Sequence, residues 1–342
     1  MKEEVGIALI GCGRIGLVHM EALADLRKRE GGVRLIATAD PDGDRAERYA
    51  RKYGGGVHYR DYQEAFANPA VDAVVLAVPN GVHASVAVEA AEAGKHILVE
   101  KPMAANAGEA DRMVAAGDKA KVKLMVANSR RYIRALFAAW ENIDRIGRPF
   151  SATYLSLMRD NAPPLWWRRK AMTGHLVYAS LGSHTLDYML WLFKGKKKAV
   201  RVYSAGYSNI PDREGFDEAS VIVGFDDGSL ATTVLSQNNR CPRIERVAVN
   251  GTEGSLYIEH SYLRPASADS LVGQAASKLI INDEVIWDGV QEEWNFMLQM
   301  KEFVACIREN RPPLADGKDV RHVLPLVEAA DLSAERHEVI PL

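Results

Sequence analysis

Between Val5 and Ala127 short apolar runs alternate with stretches whose apolar positions recur at helical spacing. The runs at residues 5–10, 33–39, 57–59, 73–78, 96–99 and 123–126 predict strands, and the stretches 15–28, 43–53, 61–67, 82–93 and 106–119 predict helices. Parallel neighbours need a crossover helix, and continuous apolar strands suit a sheet covered on both faces. The first third is therefore expected to be a doubly wound α/β domain.

After Asn128 the texture changes. One helical stretch through Ile143 precedes alternating runs at 149–158, 199–207, 219–225, 229–236, 244–250 and 254–259. Asp227-Gly228 and Thr252-Glu253-Gly254 separate several of them, which favours antiparallel neighbours. Helical patterns at 183–193, 294–309 and 319–336 complete the half, and no internal repeat is visible. A length of 342 residues suits two domains. The expected division is 1–127 and 128–342, with the C-terminal segment free to pack back on the first domain.

Gly11-Cys12-Gly13-Arg14-Ile15-Gly16 reads GxGxxG directly after the first strand and opens a helix. Glycines there permit a tight turn and the close approach of backbone to a pyrophosphate, whose charge sits on the helix N-terminus. Asp40 ends the second strand, 24 residues beyond Gly16. A carboxylate there accepts hydrogen bonds from ribose hydroxyls and repels a 2′-phosphate, which points to NAD rather than NADP. The structural alternative makes Asp40 the cap of the next helix, a role open to Asp42 as well. Arg45 nearby could receive a phosphate.

With 43 basic and 45 acidic residues the net charge is −2, which offers no broad field for a nucleic-acid backbone. Cys12, Cys241 and Cys306 form neither a disulfide framework nor a zinc pattern, so the cytoplasm is the expected compartment. Glu3 and Glu4 spoil a secretory n-region, and no apolar run approaches a membrane span. The remaining histidines show no metal-ligand spacing, so no metal is expected.

Ala77-Val-Pro79-Asn80-Gly-Val-His83 and Gly94-Lys-His-Ile-Leu-Val-Glu100-Lys101-Pro102 resemble motifs of the glucose-fructose oxidoreductase and inositol 2-dehydrogenase family, the Gfo/Idh/MocA oxidoreductases. Leu181-Gly-Ser-His184-Thr-Leu-Asp187 and Pro313-Leu-Ala-Asp-Gly-Lys318 are similar to its later motifs, so the likeness spans nearly the whole chain. It implies an N-terminal Rossmann domain and a C-terminal α/β domain with an open, mainly antiparallel sheet. It also implies homodimers or homotetramers built through that sheet. Pro79, Asn80, His83 and Glu100 are thereby placed with the glycine loop, Arg14, Ile15 and Asp40 around the cofactor.

Oxidising a secondary alcohol with a nicotinamide requires a group that takes the hydroxyl proton. Lys101, after a strand at the carboxyl end of the parallel sheet, suits contact with both substrate and cofactor. His184 and Asp187 stand at i,i+3, so on a helix Asp187 could orient the imidazole, while the helix start disfavours its charged form. Family members commonly pair this His with the Lys as acid and base. Many relatives carry an Asp four residues before the His; here that residue is Ser180, which can hydrogen-bond a hydroxyl but cannot act as a carboxylate. Asn128-Ser-Arg130-Arg-Tyr132 resembles the segment that enters the substrate domain in polyol dehydrogenases, which makes Arg130 a candidate to touch a substrate hydroxyl; the alternative is the start of a surface helix. Trp166, Trp167, Arg168, Arg169 and Lys170 suit a sugar face and an acidic group. The expected function is hydride transfer between NAD(P) and a cyclic polyol, sugar or sugar derivative. Two alternatives are a glycosidase using transient oxidation by NAD and a non-catalytic NAD-binding regulator.

Overall fold

The computed structural model describes residues 4–159, 169–173, 175–262 and 275–342. These form two compact units, one holding residues 4–129 with Glu293–Arg321 and the other holding the remaining described residues.

The first unit runs β1 (Val5–Ile10), α1 (Arg14–Arg29), β2 (Val33–Ala39), α2 (Gly43–Tyr53), β3 (Val57–Tyr59), α3 (Tyr62–Ala67), β4 (Ala73–Leu76), α4 (His83–Glu92), β5 (His96–Val99), α5 (Ala107–Ala120) and β6 (Leu124–Val126). All six strands are parallel, in the order β3-β2-β1-β4-β5-β6. Every residue of β1 and β4 is buried, as a sheet covered on both faces requires. The order reverses between β1 and β4, and ligands of such sheets bind at the carboxyl ends beside that reversal. Asp42, Asp61 and Asn106 cap α2, α3 and α5 through their side chains. Helix α1 starts at Gly13 with no side-chain cap, so that role is left open at the one helix that follows the fingerprint.

The second unit contains α6 (Arg134–Asn142), β7 (Pro149–Leu157), α7 (Lys170–Thr173), a π-helical turn Tyr178–Gly182, α8 (Ser183–Leu192), β8 (Ala199–Tyr207), β9 (Glu218–Phe225), β10 (Leu230–Ser236), β11 (Ile244–Gly251), β12 (Gly254–Tyr262), β13 (Ala275–Ile281) and β14 (Glu284–Val290). The chain then gives α9 (Asn295–Arg308) and α10 (Gly317–Val320) to the first unit, where α9 packs on α1, before α11 (Val323–Arg336) and β15 (Ile340–Pro341) return to the second. The nine-stranded sheet is ordered β14-β13-β12-β11-β7-β10-β9-β8-β15, antiparallel except for the parallel pair β7 and β10. That exception arises because the chain leaves the sheet after β7 and builds α7 and α8 before returning.

Alternation sorts this sheet into two faces. Val202, Val223, Ala231, Ala152, Val249, Leu256 and Ile281 stand opposite one another in register and are all buried. On the other face Tyr203, Ile222, Thr232, Thr153, Ala248, Tyr257 and Ile280 form a parallel row that is exposed or half-buried. The hairpin β13–β14 lies outside the predicted strands, and the helix expected over 319–336 is broken into α10 and α11. Pro325 accounts for the break: it has no N–H for the carbonyl of Arg321, and its ring clashes there if the helix continues.

Candidate active site

In the first unit the carboxyl ends of β1, β2, β4 and β5 bring together the glycine loop, Asp40, the Pro79-Asn80 turn and Glu100-Lys101. Gly11 has φ +93°, and a Cβ on it would lie 2.5 Å from the Ala77 carbonyl oxygen, so the end of β1 passes against the end of β4 only as glycine. A Cβ on Gly16 would stand 2.3 Å from the Gly11 carbonyl oxygen. Gly13 differs: nothing lies within 4 Å of the position its Cβ would take. Open space at Gly13, beside the first-turn N–H groups of α1, fits a pyrophosphate against the helix N-terminus.

Asp40 is 8% exposed, and its carboxylate accepts the Cys12 N–H at 2.8 Å and the Asp42 N–H at 2.9 Å. The end of β2 is thereby tied to the glycine loop. Helix α2 is capped by Asp42, which accepts the Arg45 N–H, so capping is not the duty of Asp40. Burial, with Asp40 beside it, pushes the Cys12 thiol up to about 12, which makes it an inert filler of the loop.

Glu100 follows β5 and is buried. One carboxylate oxygen meets Nε2 of His19 at 2.8 Å, and the other accepts the Lys101 N–H at 3.1 Å. Burial would raise this carboxyl, but the His19 hydrogen bond and the nearby Lys101 charge hold it below its ordinary value. His83 is fully buried, with Nδ1 2.9 Å from the Pro102 carbonyl and Nε2 2.9 Å from the Val78 carbonyl. Burial pushes the ring toward its neutral form. Its place is that of a pin joining the turn after β4 to the turn after β5.

In the second unit the π-helical turn runs straight into α8, so His184 lies inside a continuous helical segment and not at a free N-terminus. The dipole expected to disfavour its charge is thus displaced a turn and a half upstream. His184 is 7% exposed and Ser180 6%. Arg213 donates to Oε1 of Gln237 at 2.5 Å, and Nε2 of Gln237 donates to the Ser180 hydroxyl oxygen at 2.7 Å. A guanidinium can only donate, so Arg213 dictates which way the Gln237 amide faces. Two consecutive arginines anchor this unit. Arg131 holds both oxygens of Asp187, at 3.1 and 2.6 Å, and Arg130 is bound to Glu245, which also receives Arg243 and the Tyr154 hydroxyl.

The signature of an oxidoreductase family's NAD-binding Rossmann fold matches residues 5–128, and that of the same family's C-terminal α/β domain matches residues 141–342. The chain belongs to this family, the Gfo/Idh/MocA oxidoreductases. It is 29% identical to scyllo-inositol 2-dehydrogenase (NAD(+)) of Bacillus subtilis over 93% of this chain and 91% of that protein. It is 27% identical to myo-inositol 2-dehydrogenase of Thermotoga maritima over 98% of each. The crystal structure of aldose-aldose oxidoreductase from Caulobacter crescentus superposes with a TM-score of 0.85 at 23% identity, covering 99% of this chain and 100% of that one.

Within this Gfo/Idh/MocA chain the expected cofactor residues Gly11, Gly13, Arg14, Ile15, Gly16, Asp40, Pro79, Asn80, Glu100 and Lys101 gather at one end of one sheet. Other expected site residues have polar groups engaged within the chain. Both nitrogens of His83 face backbone carbonyls, so its contribution to the cofactor site is to shape it. Arg130, 4% exposed, is paired with Glu245. The Asp187 carboxylate pairs with Arg131. Trp166, Trp167 and Arg168 lie outside the described residues. The described end of that basic stretch is matched by acids: Arg169 pairs with Glu214, and Lys170 with Asp331 and Glu335. His19, Gln237 and Arg213 are not singled out by sequence. His19, three residues beyond the last fingerprint glycine on the first turns of a nucleotide-binding helix, carries the one local signal that could have found it.

Among the described residues no group of three His, Cys, Asp or Glu is arranged to hold a metal ion, and no helix is long and apolar enough to cross a membrane. A surface cavity of about 410 Å³ lined by Val5, Asp72, Lys95 and His96 opens at the amino ends of the parallel strands, opposite the glycine loop.

Proposed function

We propose that this oxidoreductase moves hydride between NAD and a secondary alcohol of a cyclic polyol, sugar or sugar derivative, with Lys101 and His184 handling the proton. The observation that carries the reading is the convergence, at the carboxyl ends of three parallel strands, of an open Gly13, a buried Asp40 and the Glu100-Lys101 pair. NAD, when bound, supplies the hydride acceptor for the alcohol carbon. Gly13 and the first turn of α1 hold its pyrophosphate. Asp40 takes the adenosine ribose hydroxyls on the lone pairs not used by Cys12 and Asp42, and its charge disfavours a 2′-phosphate.

Lys101, as the neutral amine, accepts the hydroxyl proton and, as the ammonium, returns it in the reverse direction. His184 serves as the second proton carrier, and Ser180, whose oxygen accepts from Gln237 and whose hydroxyl donates to the Val177 carbonyl at 3.4 Å, stands four residues before it on the same helical segment. Residues 1–127 supply cofactor and lysine, and residues 128–342 supply the substrate contacts. The row of exposed Tyr203 and Ile222 with half-buried Thr232 supports a homo-oligomer formed through that sheet face. Three unbridged cysteines, two of them buried, suit a reducing cytoplasm.

A panel of polyols, sugars and sugar acids read by NADH absorbance tests the proposal. Lys101→Ala is expected to lower kcat by about 10²- to 10⁴-fold. Activity intact in that variant removes Lys101 from the mechanism, and hydrolysis of a glycoside without net NADH replaces the dehydrogenase reading with a glycosidase.

A further inference from the structure

His19 is fully buried on α1, five residues into the helix that follows the glycine loop, yet it does not belong to the fingerprint. Its Nε2 lies 2.8 Å from Oε1 of Glu100, and Oε2 of the same carboxylate accepts the backbone N–H of Lys101 at 3.1 Å. Its ring packs edge-on against Phe296 of α9, with centroids 5.9 Å apart and planes at 79°. An imidazole is an expensive way to fill this space. Among the described residues Nδ1, which is buried, has no hydrogen-bond partner, a cost that an apolar side chain of similar size avoids.

We infer that His19 is a positioning residue for proton transfer, fixing the Glu100 carboxylate so that it holds the backbone of Lys101 and aims the lysine side chain; this rests on the proposed role of Lys101. The physical reason lies in the lysine itself. Its four-carbon stem has many rotamers, so the place of its nitrogen depends on how firmly the backbone beneath it is held. Glu100 can hold that N–H only if its own carboxylate is fixed, and a single planar ring fixes the other oxygen. His19 in turn sits on the helix that opens with the glycine loop, so the part of the chain that carries cofactor and the part that carries the base are joined through one side chain. The charged and titratable groups facing this carboxylate are His19 and Lys101, with His83 within electrostatic reach.

The test compares His19→Leu, His19→Gln and His19→Asn in the full chain, alone and combined with Glu100→Gln. Three quantities are read: kcat on the substrate found by the panel, NAD affinity by calorimetry, and the rate at which acetic anhydride modifies Lys101 relative to exposed Lys119, followed by peptide mass spectrometry. His19→Leu is expected to lower kcat by about 10- to 100-fold with NAD affinity unchanged, and to alter the relative reactivity of Lys101 without substrate present. His19→Gln, whose amide N–H reaches toward the place of Nε2, should restore most of the rate, whereas the shorter His19→Asn should not. In the Glu100→Gln background the effect of His19→Leu should vanish, because the two residues act as a unit. Should His19→Leu fail to fold, the Gln and Asn variants decide alone, and equal kcat and equal Lys101 reactivity in those two overturn the inference. An unchanged kcat in His19→Leu while Lys101→Ala is inactive also overturns it, as does a loss that follows NAD affinity and is not rescued by Gln. Full activity in Lys101→Ala sinks the reading of Lys101 itself, a separate result.

Discussion

A single methyl group distinguishes the fingerprint glycines. At Gly16 the added carbon would meet backbone, the Gly11 carbonyl oxygen at 2.3 Å, which cannot step aside as a side chain can. Gly16→Ala is therefore expected to destabilise the first unit by about 1–3 kcal/mol, visible as a lower melting temperature without NAD. At Gly13 the same methyl enters open space, so Gly13→Ala should melt with the parent yet bind NAD more weakly by calorimetry, because the methyl occupies the approach to the pyrophosphate. Equal NAD affinity in the two proteins would remove Gly13 from the cofactor site. Ser180 carries a second residue-scale expectation. With Gln237 turned by Arg213 to donate toward it, an acid at 180 finds a ready hydrogen-bond donor and adds a negative charge. Ser180→Asp should shift the ratio of kcat/KM toward neutral polyols and away from sugar acids by about tenfold, the size of one charge-assisted hydrogen bond to a hydroxyl or one repulsion of a carboxylate. The glycine spacing, Asp40, Glu100 and Lys101 were legible as residues because each sits in a short local pattern. Gln237 and Arg213 were not, since their meaning comes from a chain of hydrogen bonds spanning 57 and 24 residues.

At the scale of elements, a buried polar row across β7, β11, β12 and β13 makes the second unit sensitive to acid. Ser156, Glu245, His260 and Ser277 stand opposite one another across four strands. Burial pushes His260 down to about 4 from its ordinary value of 6.5, so between those limits the unfolded chain takes up a proton that the folded chain refuses. Burial would raise Glu245, but the Arg130 and Arg243 guanidiniums carry it down to about 2 from 4.5. Both groups therefore stabilise the fold above their unfolded values, and that stability is lost as pH falls, first through His260 from about 6.5 to 4 and then through Glu245 from about 4.5 to 2. Each unit of pKa difference amounts to about 1.4 kcal/mol, so the loss is large enough to read by urea unfolding at a series of pH values. His260→Gln should flatten the upper part of that curve; an identical slope in the variant contradicts the assignment. Most elements themselves were legible from period alone. The hairpin β13–β14 was not, because its second strand, Glu284–Val290, mixes charge and exposed valine without clean alternation.

For the whole molecule, the exposed sheet face carries the expectation of assembly. Tyr203 and Ile222 are paired in register and 41% and 44% exposed, with Thr232 and Thr153 continuing the row. Lysines at both positions, Tyr203→Lys with Ile222→Lys, should convert dimers or tetramers to monomers in sedimentation velocity while leaving NAD affinity unchanged, since the cofactor residues lie in the other unit. A parent protein that sediments as a monomer would refute the oligomer outright.

Periodicity and motif alone settled the parallel sheet, the mainly antiparallel second sheet, the family and the residues that gather at the glycine loop, because all of these are written in patterns a few residues long. Which buried charge answers which was decided only by tertiary folding. His19 meets Glu100 across 81 residues, Arg131 meets Asp187 across 56, and Arg130 meets Glu245 across 115. A charge removed from water must find its counterpart wherever the fold brings one, and its neighbours along the chain do not record that choice.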